Sequence, residues 1–217
     1  MIEPHGGKLV NRIVTGVEKE AILNRSKGMS AIYLNFDEIN KIENIATGLF
    51  SPLDGFMGEE DYTGVIENMR LVDGTVWTIP VVLAVSEKEA EKLNEGEDVA
   101  LYYEGDKELY AVLHLTDIYT YDNKKEAELV YKTVDKKHPG VAKVYQRDNI
   151  MLGGKISVIK RINYSDFNNY RLTPAETREL IKDKGWKTLV AFQTRNPIHR
   201  AHEYLQKCAL EMVDGLY

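Results

Sequence analysis

The stretch Thr188-Leu189-Val190-Ala191-Phe192-Gln193-Thr194-Arg195-Asn196-Pro197-Ile198-His199-Arg200-Ala201-His202-Glu203 changes texture twice within a few residues. Thr188 to Phe192 is uncharged and partly β-branched, the composition of a buried parallel strand. Gln193 to Ile198 is polar, and from Arg200 to Val213 the apolar residues Leu205, Ala209 and Met212 recur at helical spacing. Strand, loop and helix in this order open a doubly wound α/β domain, in which ligands collect at the carboxyl ends of strands. The loop concentrates donors where an anion would sit. The new helix offers unsatisfied N–H groups and a positive dipole end. Arg195 adds a planar fork for two oxygens of a tetrahedral anion, and Gln193, Thr194 and Asn196 add neutral donors. His199 and His202, three apart, share one helix face.

Other readings of this cluster fit less well. A zincin helix needs H-E-x-x-H, whereas this pair is H-R-A-H with no third His or Cys nearby, so no protein-bound metal is expected. Gly6-Gly7-Lys8-Leu9 and Gly153-Gly154-Lys155-Ile156 lack the spacing and hydroxyl residue of a Walker loop, which excludes a P-loop NTPase.

Upstream, Thr173-Pro174-Ala175-Glu176 combines an N-cap, a Pro at the first helical position and a Glu at the third, and the helix should stop at Gly185. Tyr164 to Tyr170 is polar and aromatic and reads as a linker. Before it the texture is different. Strand-like runs at Ala31–Leu34, Val76–Val85, Val99–Tyr103, Leu109–Tyr119 and Ile156–Ile162 alternate with short helices. Asp37 is placed to cap a helix carrying Ile39, Ile42 and Ile45, Ser86 to Glu89 is a capping box, and Glu104-Gly105-Asp106 turns a hairpin. This reads as a β-rich, barrel-like domain.

The 217 residues, at roughly 150 per domain, suit one large domain or one domain with an incomplete second. Trp77 to Ser86 is the longest uncharged apolar run, too short to span a membrane, and Glu3, Pro4 and two Gly occupy the place of a leader's apolar stretch. The expectation is a cytoplasmic protein with no membrane partner. One cysteine, Cys208, forbids an internal disulfide. A net charge of −6 argues against a broad nucleic-acid footprint but leaves small anions open. From Ala175 onward seven Lys or Arg face six Asp or Glu, so the anion-handling segment is the least acidic part.

Gln193 to Glu203 resembles the Q-x-R-N-P-x-H-x-x-H-E signature of the ATP sulfurylase family, which makes adenylyl sulfate and pyrophosphate from ATP and sulfate. The similarity continues through Leu172–Arg178, Gly185–Lys187 and Tyr204–Lys207, and earlier through Pro4–Gly7, Gly48–Met57 and Trp77–Val81. It covers essentially the whole chain. The resemblance implies a PUA-like β-barrel domain over 1–165, followed over 166–217 by the start of a Rossmann-like nucleotidyltransferase (HxxH) α/β domain. It implies sulfate binding by Gln193 and Arg195, catalytic roles for Thr194, Arg195 and Asn196, and contact with ATP phosphates by Gln193, Asn196, His199 and His202. ATP would bring Mg²⁺, and the full-length protein would be a homo-oligomer. A second catalytic motif of Gly-Arg-Asp-His type is absent from these residues, so the 217 residues alone are expected to bind poorly and not to turn over.

Two other functions compete: a different HxxH nucleotidyltransferase, and an RNA-binding PUA-type module. The first lacks a reason for Gln-x-Arg-Asn before HxxH, and the second lacks a basic cluster with interleaved aromatics. The remaining conspicuous residues read as structural. Gly48 to Met57 is a packed loop, His5 part of an N-terminal turn, and His114 and His138 structural or solvated. Lys155 sits in a turn before a strand, Cys208 in a core, and Asn123 to Lys136 on a solvated helix.

Overall fold

A computed structural model describes residues 2–217. The chain forms two compact bodies, Pro4–Asn168 and Asn169–Tyr217 with Ile2 and Glu3.

The first body contains α1 (Gly16–Ser26), β1 (Ser30–Leu34), α2 (Phe36–Ala46), β2 (Gly55–Phe56), α3 (Glu59–Asn68), β3 (Leu83–Val85), α4 (Glu87–Ala90), β4 (Asp98–Tyr103), β5 (Leu109–Thr120), α5 (Asn123–Tyr131), α6 (Pro139–Gln146) and β6 (Ile150–Val158). Its strands form one sheet in the order β1-β4-β5-β6-β2, with β3 also on β6. β1 and β4 pair in parallel, and β4, β5 and β6 form antiparallel ladders. Among the described residues this path runs from edge to edge without closing on itself. The Glu104–Asp106 hairpin forms as expected, with Lys107 N–H donating to the Tyr103 carbonyl at 2.9 Å.

Burial follows from position in the sheet. β5 is flanked on both edges, and Ala111, Val112 and Leu113 are wholly buried. Leu101, Leu115, Met151, Leu152 and Ile156 join them, and α2 lays Ile39, Ile42 and Ile45 on this core. Each such side chain contributes about 1.5–3 kcal/mol on leaving water.

Several local expectations shift. Val76–Val85 is a strand only from Leu83, because Trp77 to Val82 is loop whose Trp77 Nε1–H donates to the Ile79 carbonyl at 2.7 Å. The last strand of the sheet starts at Ile150 and ends at Val158, rather than running from Ile156 to Ile162. Lys155 therefore lies within a strand, not in a turn, and pairs with Asp54 at 3.1 Å. Gly153 and Gly154 belong to that strand because the neighbouring backbone is so close that a Cβ on Gly154 would collide with the His114 carbonyl. The cap of α2 is Asn35, not Asp37: its side chain accepts from Glu38 N–H at 3.1 Å, and Glu38 reaches back to Asn35 N–H at 3.0 Å.

The helix α5 is not simply a solvated face. Glu126 is 2% exposed and receives both Arg147 Nη2–H at 2.8 Å and the Tyr62 hydroxyl at 2.9 Å. Burial opposes the charge on Arg147, but the Glu126 carboxylate outweighs it and holds the guanidinium above its ordinary pKa. His114 and His138 do serve structure: His114 bridges Asp98 and Ser157 across the sheet at 2.6 and 2.9 Å, and His138 Nδ1 caps α6 by accepting from Gly140 N–H at 3.2 Å.

In the second body lie α7 (Pro174–Asp183), β7 (Leu189–Val190), α8 (Arg200–Leu210) and β8 (Gly215–Leu216). α7 has the expected capping box, with Glu176 N–H donating to Thr173 Oγ1 and Glu176 accepting from Thr173 N–H. It is followed by Gly185 at φ 67°, a left-handed conformation natural to glycine. β7 and β8 pair in parallel and α8 lies between them in sequence, a βαβ arrangement. β7 is shorter and more open than expected: Leu189 is 39% exposed, because β8 is the one strand paired with it among the described residues. Cys208 is likewise half-buried rather than a core residue. Among the described residues no helix is long and apolar enough to cross a membrane.

Candidate functional site

The loop after β7 and the first turn of α8 carry every residue singled out for anion chemistry. Asp214 holds the base of this arrangement. Its carboxylate accepts from Lys187 N–H at 2.8 Å, Thr188 N–H at 2.9 Å and Thr188 Oγ1–H at 3.1 Å. These backbone donors, Thr188 first, hold the Asp214 pKa below its ordinary value. The ladder continues past the strands, with Tyr217 N–H on the Val190 carbonyl at 2.9 Å and Phe192 N–H on the Tyr217 carbonyl at 2.8 Å. The point where the chain leaves β7 is thereby fixed.

Beyond Phe192 the loop organises itself. Thr194 Oγ1 accepts from Asn196 N–H at 3.0 Å and donates to the Asn196 carbonyl at 3.1 Å. The Thr194 hydroxyl and the Asn196 backbone are thus spent on the turn, a local side-chain-to-backbone motif. Gln193 and Arg195 are exposed and, among the described residues, make no hydrogen bond or ion pair. Their donors are available to a ligand.

His199 is the N-cap of α8, in extended backbone, and His202 is the third helical residue. Their rings stack at 3.8 Å between centroids and 23° between planes. His202 Nδ1 lies 3.5 Å from His199 N–H, and its ring meets Phe192 at 5.5 Å. The helix's first N–H groups open at the same place, where the backbone dipole favours negative charge. Sequence reasoning found these residues but not their supports. Asp214 and Phe192 had no motif to mark them, and their role follows only from the pairing of β7 with β8.

On one βαβ unit the chain carries a free Arg fork, a free amide, a Thr194-held turn and two stacked imidazoles at a helix N-terminus, groups of the kind that can hold an anion. Comparison with known proteins identifies the larger part of the chain. It belongs to the PUA-like domain family, whose model matches residues 2–161. Residues 168–217 match the ATP-sulfurylase family model, which bears out the resemblance of the Gln193–Glu203 motif. A sulfate adenylyltransferase of Halothermothrix orenii is 65% identical over all 217 residues, covering 57% of that protein. One of Nostoc punctiforme is 49% identical over 216 residues, covering 55% of it. The chain therefore spans about half the length of the curated relatives it matches. Among solved structures, a hexameric APS kinase from Thiobacillus denitrificans superposes with a TM-score of 0.77 at 28% identity, over 97% of this chain and 38% of that one.

Proposed function

We propose that this chain is part of a sulfate adenylyltransferase, which forms adenylyl sulfate and pyrophosphate from ATP and sulfate. The observation that carries the reading is the stacked His199–His202 pair at the N-terminus of α8, one loop away from the unpartnered Arg195 and Gln193. Arg195 and Gln193 hold sulfate, and Asn196 with Thr194 keeps the sulfate oxygen facing the α-phosphorus. Gln193, Asn196, His199 and His202 receive the ATP phosphates. A sulfate oxygen attacks the α-phosphorus in line while the bond to the bridging oxygen breaks, and pyrophosphate leaves with that electron pair. Sulfate is fully ionised near neutral pH, so no general base is required. The obstacle is the approach of two anions, and it is met by orientation and by donors aimed at the developing charge.

Mg²⁺ enters as the counter-ion of ATP. Such an ion keeps much of its water and is bound mainly through the phosphates. The parallel β7 and β8 with α8 between them support reading residues 166–217 as the beginning of a Rossmann-like domain, and the family match supports residues 1–165 as the PUA-like, β-rich domain that precedes it, its sheet open among the described residues rather than closed into a barrel. The exposed apolar residues of α8, Tyr204, Leu205 and Leu210, are then faces covered in the longer protein. We assign the full-length protein to the cytoplasm as a homo-oligomer, in keeping with the hexameric state named for its structural relative.

The test is exchange of labelled pyrophosphate into ATP by the full-length protein. Strict dependence on sulfate is expected. Exchange of equal rate without sulfate would assign the site to a different nucleotidyltransferase.

A further inference from the structure

Segments that the proposed reaction does not use meet at one place in the first body. His5 lies against Trp77 with ring centroids 6.1 Å apart, and its Nε2 is 2.7 Å from the Val76 carbonyl. Phe50 meets Trp77 edge to face at 6.1 Å. Gly6 sits so tightly on Pro52 that a Cβ would stand 2.6 Å from the proline Cγ. The segments Pro4–Gly7, Gly48–Met57 and Trp77–Val81, distant in sequence, thus wall a single cleft of about 470 Å³. That volume falls in the range of small-molecule sites, and it is enough for one or two fused rings.

The walls are chiefly Phe50, Trp77, Ile79 and Pro80. Trp77 spends its only donor on the Ile79 carbonyl, so it offers the cleft a ring and no polar group. Ile79 remains 55% exposed. One cation lines the space. Lys41, from α2, donates from Nζ to the Val82 carbonyl at 2.9 Å and, among the described residues, has no carboxylate within ion-pair distance. An ammonium has three donors, so two remain. Burial holds the Lys41 pKa below the ordinary lysine range, against the opposing pull of the Glu38 and Asp37 carboxylates.

We propose that this cleft binds a small planar aromatic anion, its ring against Trp77 and Phe50 and its charged group on Lys41. An apolar peptide segment would satisfy the rings but leave the ammonium unpaired, whereas an aromatic anion satisfies both. The site is built wholly from the first body and does not depend on adenylyl transfer.

Calorimetric titration of the 217-residue chain with 2-naphthoate and with 2-naphthamide separates the two contributions, because the probes differ in charge and hardly in shape. The expected result is at least ten-fold tighter binding of the carboxylate, lost on Lys41→Met, with binding of both probes abolished by Trp77→Ala. Equal affinity of the two probes for the unaltered chain overturns the proposal without recourse to any variant. So does a preference that survives Lys41→Met. Binding of neither probe also overturns it and leaves the cleft as a packing surface.

Discussion

The two bodies of this chain are held together in opposite ways. In the first, a sheet and its helices enclose a continuous core, and even a charged pair, Glu126 with Arg147, is taken inside. In the second, Gly215, packed on Trp186, is the one buried residue among those described. Its order rests on local devices: the Thr173 capping box, the Asp214 clamp, the Thr194 turn and the His199 cap. The residues proposed to handle anions all belong to the loosely buried body. That is the arrangement expected where donors must remain open to a ligand, since a buried donor would already have a partner.

The contrast can be broken at its strongest point first. Arg147→Ala leaves the Glu126 carboxylate buried and unpaired, and should cost about 3–5 kcal/mol in urea unfolding. Arg195→Ala, at an exposed position, should stay within about 0.5 kcal/mol in the same assay. Next, Leu113→Ala removes a wholly buried side chain and should cost about 2–5 kcal/mol. Leu205→Ala, at 58% exposure in this chain, should have a much smaller effect. A similar loss at both leucines would mean that the second body has a core of its own. A smaller effect is expected at the helix start: Thr173→Ala should cost about 1 kcal/mol, seen as faster amide exchange confined to α7.

The slightest effect is electrostatic. The Asp214 pKa is depressed in the folded chain, so its support is complete above the ordinary carboxylate value of 3.8. It is lost as pH falls through the lower, folded value. The Lys187 and Thr188 amide resonances should therefore shift together below pH 3.8, and Asp214→Asn should remove that titration. Resonances that moved only above this value would contradict the clamp.

How much of this was legible in the sequence differs between the same two bodies. The helix starts at Ser86 and Thr173, the Gly185 stop and the Glu104–Asp106 hairpin rest on short-range chemistry, and each formed where the residues indicate. The anion cluster was legible for the same reason, being contiguous from Gln193 to His202. The Glu126–Arg147–Tyr62 cluster was not, because its members lie on different elements and a charged helix turn looks the same whether it faces water or a partner. The boundaries of β6 were also misplaced: Gly153-Gly154 reads as a turn until the proximity of His114 and of β2 makes small residues necessary within a strand. The burial of β7 was overstated, because an apolar run records the capacity to be covered and not the presence of a cover.

The central claim is that Arg195 acts on the ligand and not on the fold. The most direct measurement is sulfate-dependent exchange of pyrophosphate into ATP by the full-length protein, with and without Arg195→Ala, alongside its thermal unfolding. The account predicts a loss of at least about a hundred-fold in exchange, the scale of removing one transition-state donor, with an unchanged melting temperature. Exchange that persists in the variant, or a loss that merely follows a lowered melting temperature, would contradict it.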